Sequence, residues 1–190
     1  MNLTKIIKYS MFAATIAIMG LFLHYNLPRT DVVQITGTDV KRMDGKATQD
    51  GAGTRDIRFL NAVTGDGKIR VYRNEDTGWG WPPYLKFNSA DLTAEAQNLI
   101  QKPEKPWVRV RYYGWRIKVF SLFPNAISLK VVDKDYTHIP WFNITFILLL
   151  AIGLVFVLRV IRRFVERLGR SERYREISQS VRSRVGHKRG

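Results

Sequence analysis

The fold of the central part of the chain is decided by residues 56–73, which read DIRFLNAVTGDGKIRVYR. Two β-rich runs, 56–63 and 68–73, flank the tetrapeptide TGDG at residues 64–67. Glycine and aspartate tolerate the positive φ angles that tight hairpin turns require. The stretch therefore predicts two antiparallel strands joined by a short turn.

Three further runs extend the β pattern. Residues 32–40 and 126–132 have the composition of strands, and valines alternate with arginines in the stretch WVRVRYY at residues 107–113. Residues 115–120 are expected to continue in an extended conformation after the glycine at 114. The polar stretch 43–54 is expected to be a loop.

A helix is predicted over residues 88–100, because its apolar residues recur at helical spacing and Ser89 or Asp91 can cap it. Three strands, one helix and two strands is the order of elements in an OB-type barrel. We therefore predict a mainly β, α+β domain, a five-stranded OB-like small barrel with one helix. A generic small α+β sheet domain is the alternative.

Two uncharged apolar stretches flank this domain, YSMFAATIAIMGLFL at residues 9–23 and IPWFNITFILLLAIGLVFVL at 139–158. Each, with its flanking residues, is long enough to cross a hydrocarbon core. A cleaved signal peptide is the alternative for the first, but no small-x-small pattern follows it. The predicted organisation is a short N-terminus with transmembrane helix 1 (1–25), the barrel domain (26–137), transmembrane helix 2 (138–159) and a basic amphipathic tail (160–190).

Basic residues predict the orientation of the two spans. The chain has a net charge of +15, and Lys and Arg close to a span favour the cytoplasmic side. The five arginines nearest to the end of the second span are expected to lie on anionic lipid headgroups: Arg159, Arg162, Arg163, Arg167 and Arg170. Both termini are therefore predicted to be cytoplasmic, with the central domain beyond the inner leaflet.

Small residues recur at spacings of three and four in the first span, at Ser10, Ala13, Ala17 and Gly20. Such a stripe allows helix backbones to approach closely, and Gly153 of the second span is a candidate for the facing position. Two interpretations stay open: pairing of the two helices with each other, or docking onto a larger membrane protein complex.

The first group of candidate ligand-binding residues lies on a loop rich in Gly and Pro. Trp79, Trp81 and Tyr84 offer aromatic rings that can stack on a sugar or a base. Glu75 and Asp76 precede them and are candidate cation ligands. In the structural alternative, the indoles close one end of the barrel and the carboxylates pair with neighbouring arginines.

The second group consists of Arg109 and Arg111, which share one face of a predicted strand. With Arg116 and Lys118 they form a basic run interleaved with aromatic residues, a pattern typical of an OB binding face. An anionic glycan or a lipid headgroup is the expected ligand, because nucleic acid is not expected outside the cytoplasm. An ordinary solvated strand face is the alternative.

Composition excludes several kinds of chemistry. The chain has no cysteine, which removes disulfides, zinc–thiolate sites and thiol nucleophiles. With three histidines and no catalytic or metal-ligand spacing, we predict neither an enzyme nor a metal site. We expect no cofactor; a b-type haem between His24 and His138, one at the outer end of each span, is the alternative.

Three runs resemble an uncharacterised family of small bacterial inner-membrane proteins: HYNLPR at 24–29 leading into DVV at 31–33, RNEDTGWG at 73–80 and YGWRI at 113–117. The resemblance covers most of the chain up to the second span. It implies a location in the bacterial inner membrane, with the central domain in the periplasm, and it carries no known active site.

Two functions are compatible with these observations. The first is a non-enzymatic accessory, assembly or structural subunit of a larger envelope or bioenergetic membrane complex, contacted through the helices and the periplasmic domain. The second is a periplasmic binding or sensory module for an anionic glycan or lipid.

Overall fold

The computed structural model describes residues 3–44 and 54–186, with side chains for residues 4–42 and 56–167. Most of the expected loop 43–54 lies outside the described residues. The chain divides into two compact units, Met1–Ile139 and Pro140–Gly190. The second unit contains the helix α3 (Trp141–Gly186).

In its described part, residues 3–44 and 54–139, the first unit contains two helices and five strands. In chain order they are α1 (Leu3–Asn26), β1 (Arg29–Asp44), β2 (Thr54–Thr64), β3 (Ile69–Asn74), α2 (Ser89–Gln101), β4 (Val108–Tyr113) and β5 (Asn125–Val131). The strands form a closed barrel in the order β1-β2-β3-β5-β4. The predicted five-stranded barrel, with a helix between its third and fourth strands, is therefore confirmed.

The hairpin at the centre of the chain forms as its sequence predicts. Strands β2 and β3 are antiparallel, with Val63 opposite Ile69. In the turn, the amide of Gly67 donates to the carbonyl of Thr64 (2.9 Å), and Gly67 has a φ of +77°. A glycine is required here because L-residues rarely adopt that angle.

Alternation along the strands places aliphatic side chains inside the barrel. Val33 and Ile35 of β1 and Val108 and Val110 of β4 are all almost completely buried. Leu92, Ala96 and Leu99 of α2 belong to the same core. Each large aliphatic side chain buried in this way contributes about 1.5–3 kcal/mol, so α2 is held mainly by its apolar face.

Helix α2 covers one end of the barrel interior. Its Gln97 lies close to Thr38 in the later part of β1, and its Thr93 accepts a hydrogen bond of 2.9 Å from Asn74 at the end of β3. The first residues of β1 and β3 therefore lie at the opposite end.

The C-terminal end of α1 is attached to the barrel. The amide of Gly114 donates to the carbonyl of Tyr25 (2.9 Å), and the hydroxyl of Tyr84 donates to the carbonyl of Asn26. The ring of Tyr25 lies edge-on to Trp115, with centroids 5.3 Å apart. These contacts fix the helix end beside the connection between β4 and β5.

Two local predictions are wrong. Residues 115–120 do not continue as a strand, because the chain turns back at Ser121 (φ +48°) and Ile117 forms a β-bridge with Leu122. Neither Ser89 nor Asp91 caps α2: the N-cap position is Asn88, which makes no side-chain cap.

Among the residues that the structure describes, two helices are long and apolar enough to cross a membrane, with candidate spans at Thr4–Asn26 and Trp141–Arg167. The first has 23 residues and extends for about 35 Å at 1.5 Å per residue. Helix α3 runs without a break from Trp141 to Gly186, so the expected tail continues the second apolar helix.

Candidate functional site

A basic cavity of about 520 Å³ opens at the end of the barrel away from α2. Its wall combines the first residues of β1, the start of β3, the end of β4 and the β4–β5 connection. The charged lining residues are Arg29, Lys68, Arg70, Arg116, Lys118 and Asp31. Five basic side chains thus face one carboxylate, which gives the cavity an excess of positive charge.

The single carboxylate is held by neighbours within the wall. Asp31 accepts hydrogen bonds from the hydroxyls of Tyr72 (2.7 Å) and Tyr112 (3.2 Å). Arg70 pairs with the same group, with its Nε 3.6 Å from Oδ2. The negative charge of Asp31 is therefore largely compensated. Lys68 in turn pairs with Asp66 (2.5 Å). The groups left to act on a ligand are Arg29, Arg116, Lys118 and the part of the Arg70 guanidinium that Asp31 does not engage.

Two arginines are held in place by the fold. The guanidinium of Arg29 donates to the carbonyl of Gly114 and lies 5.2 Å from the centre of the Tyr112 ring. Arg116 donates to the carbonyl of Leu122 (2.9 Å) and lies 4.0 Å from the centre of the Phe123 ring. A guanidinium fixed in this way loses little side-chain entropy when it binds a carboxylate or phosphate.

The tyrosines of the wall stay protonated at neutral pH. Burial raises the pKa of Tyr112 to about 12, and the Asp31 charge acts in the same direction. Burial and the same carboxylate also raise the pKa of Tyr72. Both phenols therefore act as hydrogen-bond donors to Asp31.

The cavity has the size of a small-molecule site and combines pre-oriented cations with apolar wall at Ile69, Val71 and Pro124. Arginine binds planar and tetrahedral oxyanions through paired N–H groups. The arrangement therefore suits a ligand with an anionic oxygen group and an apolar part.

None of the seven ligand-binding residues predicted from the sequence lines this cavity. Glu75 is buried and pairs with Arg73. Asp76 accepts hydrogen bonds from the amide (2.8 Å) and the hydroxyl (2.7 Å) of Ser89. Both carboxylates are thus engaged in holding the start of α2 and the end of β3.

Two of the three aromatic loop residues, Trp81 and Tyr84, lie against the end of α1. Trp81 stacks on Phe22 of α1 with ring centroids 5.7 Å apart, and Trp79 is 84% exposed beside Phe87. Tyr84 stacks on the ring of Tyr113, with centroids 4.8 Å apart. The loop therefore contacts the helix end through Trp81 and Tyr84.

The two strand arginines face away from the core. Arg109 donates to the hydroxyl of Tyr136 (3.1 Å) and lies over that ring. The charge of Arg111 acts on Tyr84, where it opposes the rise of the pKa to about 12 that burial causes.

The two histidines next to the apolar stretches, His24 and His138, have separate aromatic partners. His24 Nδ1 accepts a hydrogen bond from the indole of Trp115 (2.7 Å), whereas His138 stacks on Tyr136 with centroids 6.4 Å apart. Within residues 3–44 and 54–186, no three His, Asp or Glu side chains come together to hold a metal ion.

The predicted helix-packing and membrane-surface residues lie on exposed helix surfaces. Ser10, Ala13, Ala17 and Gly20 are exposed on α1, and Gly153 is exposed on α3. Arg159, Arg162, Arg163 and Arg167 are exposed on α3, where Arg162 pairs with Glu166 (3.0 Å). The side chain of Arg170 lies outside the described residues.

The basic cavity was not predicted from the sequence because its arginines come from three distant segments. One signal was available: Arg29 and Asp31 share the strand face of Val33 and Ile35, and Arg70 shares that of Tyr72. Charged residues on an inward face are rare in a small barrel and indicate a polar end to its interior.

Comparison with known proteins identifies the family of the chain but gives no function. The family described as "Protein of unknown function (DUF1523)" matches residues 4–165. An uncharacterised protein of Haemophilus influenzae is 40% identical over 156 residues, which cover 76% of this chain and 88% of the relative. No solved structure matches the chain.

The family match confirms the resemblance to an uncharacterised family. It also extends further than the sequence motifs suggest, because residue 165 lies well inside α3. The chain therefore belongs to the DUF1523 family of proteins of unknown function.

Proposed function

We propose that this protein is a membrane-anchored binding module that holds an anionic ligand in the basic cavity of its barrel. The observation that carries the proposal is the placement of Arg29, Arg70 and Arg116 around one 520 Å³ cavity. Binding without catalysis is the proposed role, because the lining supplies cations, hydrogen-bond donors and apolar wall.

The strand order supports an OB-like assignment for the barrel. OB barrels carry a helix between their third and fourth strands and bind ligands with the help of the loop between strands 4 and 5. In this chain the same connection supplies Gly114, Arg116, Lys118 and Pro124 to the cavity. The proposed site therefore shares the β4–β5 loop with the binding face of OB barrels.

The proposed location is the bacterial inner membrane, with both termini in the cytoplasm and the barrel in the periplasm. Two helices of sufficient length and the arginines after the second support this topology. In this arrangement the cationic part of α3 lies on anionic headgroups of the inner leaflet.

The anion site is tested with the full-length chain in detergent micelles and inorganic phosphate as the probe. Broadening of the phosphorus NMR signal reports binding. We expect Arg70→Gln or Arg116→Gln to weaken binding about tenfold or more, because each removes a charged hydrogen-bond donor.

Arg42→Gln is the matched control, since Arg42 carries the same charge on β1 but is exposed and pairs with Asp56 (3.4 Å). Equal broadening by the wild type and Arg70→Gln, with both chains folded by circular dichroism, contradicts the proposal. An equal loss of broadening in Arg42→Gln would show that binding depends on net charge alone, which also contradicts the proposal.

An accessory role in a larger membrane complex is the second candidate function. The observation that favours it is the exposed stripe of Ser10, Ala13, Ala17 and Gly20, where a Cβ added at Gly20 would meet nothing within 4 Å. Purification from native membranes in mild detergent tests it: a stoichiometric partner that is lost in Ala17→Leu supports this role, and an isolated chain opposes it.

A further inference from the structure

Two loops of the barrel meet the last turns of α1 at the same level. Trp81 stacks on Phe22, and the indole of Trp115 donates to His24, two residues further along the helix. Amphipathic aromatic side chains are enriched at the membrane–water interface. If α1 crosses a bilayer, these contacts place both loops at the headgroup level of the leaflet from which α1 emerges.

The loop that begins at Trp115 ends in an exposed apolar hairpin. Its base is closed by the bridge between Ile117 and Leu122, and the amide of Leu122 donates to the carbonyl of Ile117 (3.0 Å). At the tip, Val119 is 88% exposed and Phe120 is 72% exposed. Two apolar side chains held outward at the end of a closed turn are costly in water.

The hairpin is also part of the basic cavity. Arg116 and Lys118 line the cavity from the base of the hairpin, and Ile69, on the opposite wall, is 78% exposed. Phe120 follows Trp115 by five positions, so their Cα atoms are at most about 18 Å apart. Cations and exposed apolar side chains therefore occur together within reach of the same leaflet.

We propose that the ligand of the cavity is the headgroup of an anionic phospholipid in the leaflet where α1 ends, and that the 117–122 hairpin inserts into this leaflet. The inference rests on the proposed anion site and specifies its ligand. The phosphate binds between Arg29, Arg70 and Arg116, while Val119 and Phe120 contact the acyl chains. The barrel thereby lies flat against the membrane that anchors it.

Hairpin insertion is tested by spin labelling, which the absence of cysteine makes simple. Full-length Phe120→Cys is labelled with a nitroxide in nanodiscs of equimolar phosphatidylcholine and phosphatidylglycerol. We expect collisions with oxygen to exceed those with a water-soluble nickel chelate severalfold. Asn98→Cys, on the exposed face of α2, is the matched control and should give the opposite ratio.

Headgroup binding is tested by counting the phosphatidylglycerol that stays bound when protein from the same nanodiscs is released for native mass spectrometry. We expect the wild type and Arg42→Gln to retain it, and Arg70→Gln to retain severalfold less, because this variant loses a charged hydrogen-bond donor. Equal retention by Arg70→Gln overturns the lipid assignment.

The two proposals fail in different ways. If inorganic phosphate binds but the nitroxide at position 120 contacts the nickel chelate as freely as that at position 98, the ligand is a free anion and the membrane inference is wrong. If phosphate itself does not bind, the anion site is wrong. If the hairpin of the wild type and of Arg70→Gln inserts into the membrane but neither protein retains phosphatidylglycerol, the hairpin is only an anchor and the headgroup assignment is wrong.

Discussion

Lys86 is a cation that the fold takes out of water. It is only 3% exposed, and its ammonium donates to the carbonyl of Ala126 (2.7 Å) and to the side chain of Asn74. Asn74 in turn donates to the carbonyl of Ser89 (2.8 Å). This chain of hydrogen bonds joins β3, β5 and α2.

Stability should depend on pH through this lysine. Burial lowers the pKa of Lys86 from 10.5 to about 8, although the charges of Asp76 and Glu75 oppose the change. Between these two values the unfolded chain binds a proton that the folded chain does not, so stability rises with pH. We expect the melting temperature, followed by circular dichroism, to increase from about pH 8 towards pH 10.

Above pH 10 the buried tyrosines reverse this trend. Burial raises the pKa of Tyr84 and of Tyr112 to about 12, so the unfolded chain loses these protons first and stability falls. Lys86→Met should abolish the rise below pH 10 and keep the fall above it. A rise in melting temperature between about pH 8 and pH 10 that persists in Lys86→Met contradicts the assignment of this rise to Lys86.

Gly114 is the residue at which backbone conformation limits the sequence. Its φ is +88°, and an added Cβ would meet the backbone of Pro124 at 3.6 Å and the ring of Tyr25 at 3.7 Å. We expect Gly114→Ala to lower the free energy of unfolding by about 1–2 kcal/mol, because an L-residue is strained at this angle. Gly65→Ala, in a turn without a positive φ, is the control and should change stability less. Equal losses of stability in Gly114→Ala and Gly65→Ala would show that the positive φ of Gly114 is not the cause.

At the scale of elements, the start of α2 depends on a distant residue. The carboxylate of Asp76 accepts from the amide of Ser89 at 2.8 Å, which is one of the amides at a helix start that have no partner within the helix. Asp76→Ala should therefore destabilise the domain by about 1–2 kcal/mol in denaturant unfolding. Asp91→Ala, in the first turn but without a capping role, should cost only about 0.3 kcal/mol. A larger effect at Asp91 would show that the cap lies within the helix.

The elements themselves were largely predictable, because their signals are local. The TGDG turn, the alternation around Val108 and Val110 and the apolar face of α2 each encode one element. The cap of α2 was not predictable, since Asp76 is 13 residues from Ser89 and no spacing rule connects them. The turn at Ser121 was missed because a non-glycine residue there adopts a positive φ.

At the scale of the whole molecule, the cavity shows why the site was harder to predict than the fold. Arg29, Arg70 and Arg116 are brought together only by closure of the barrel. The sequence drew attention instead to Trp79, which is exposed, and to Trp81, which the structure places against the end of α1. A high density of unusual residues indicated the loop beside α1, whereas the basic cavity depends on pairing between distant strands.

The proposed topology makes a prediction for intact cells. With no native cysteine to interfere, single cysteines report their own exposure to a maleimide that cannot cross the inner membrane. Lys102→Cys, on the exposed end of α2, should be labelled from the periplasm, because the barrel lies between the two spans. Gly190→Cys should be labelled only after the inner membrane is permeabilised, since the arginines after the second span hold that end in the cytoplasm. Labelling of both positions in unpermeabilised cells would contradict a second span, and labelling of Gly190→Cys alone would reverse the orientation.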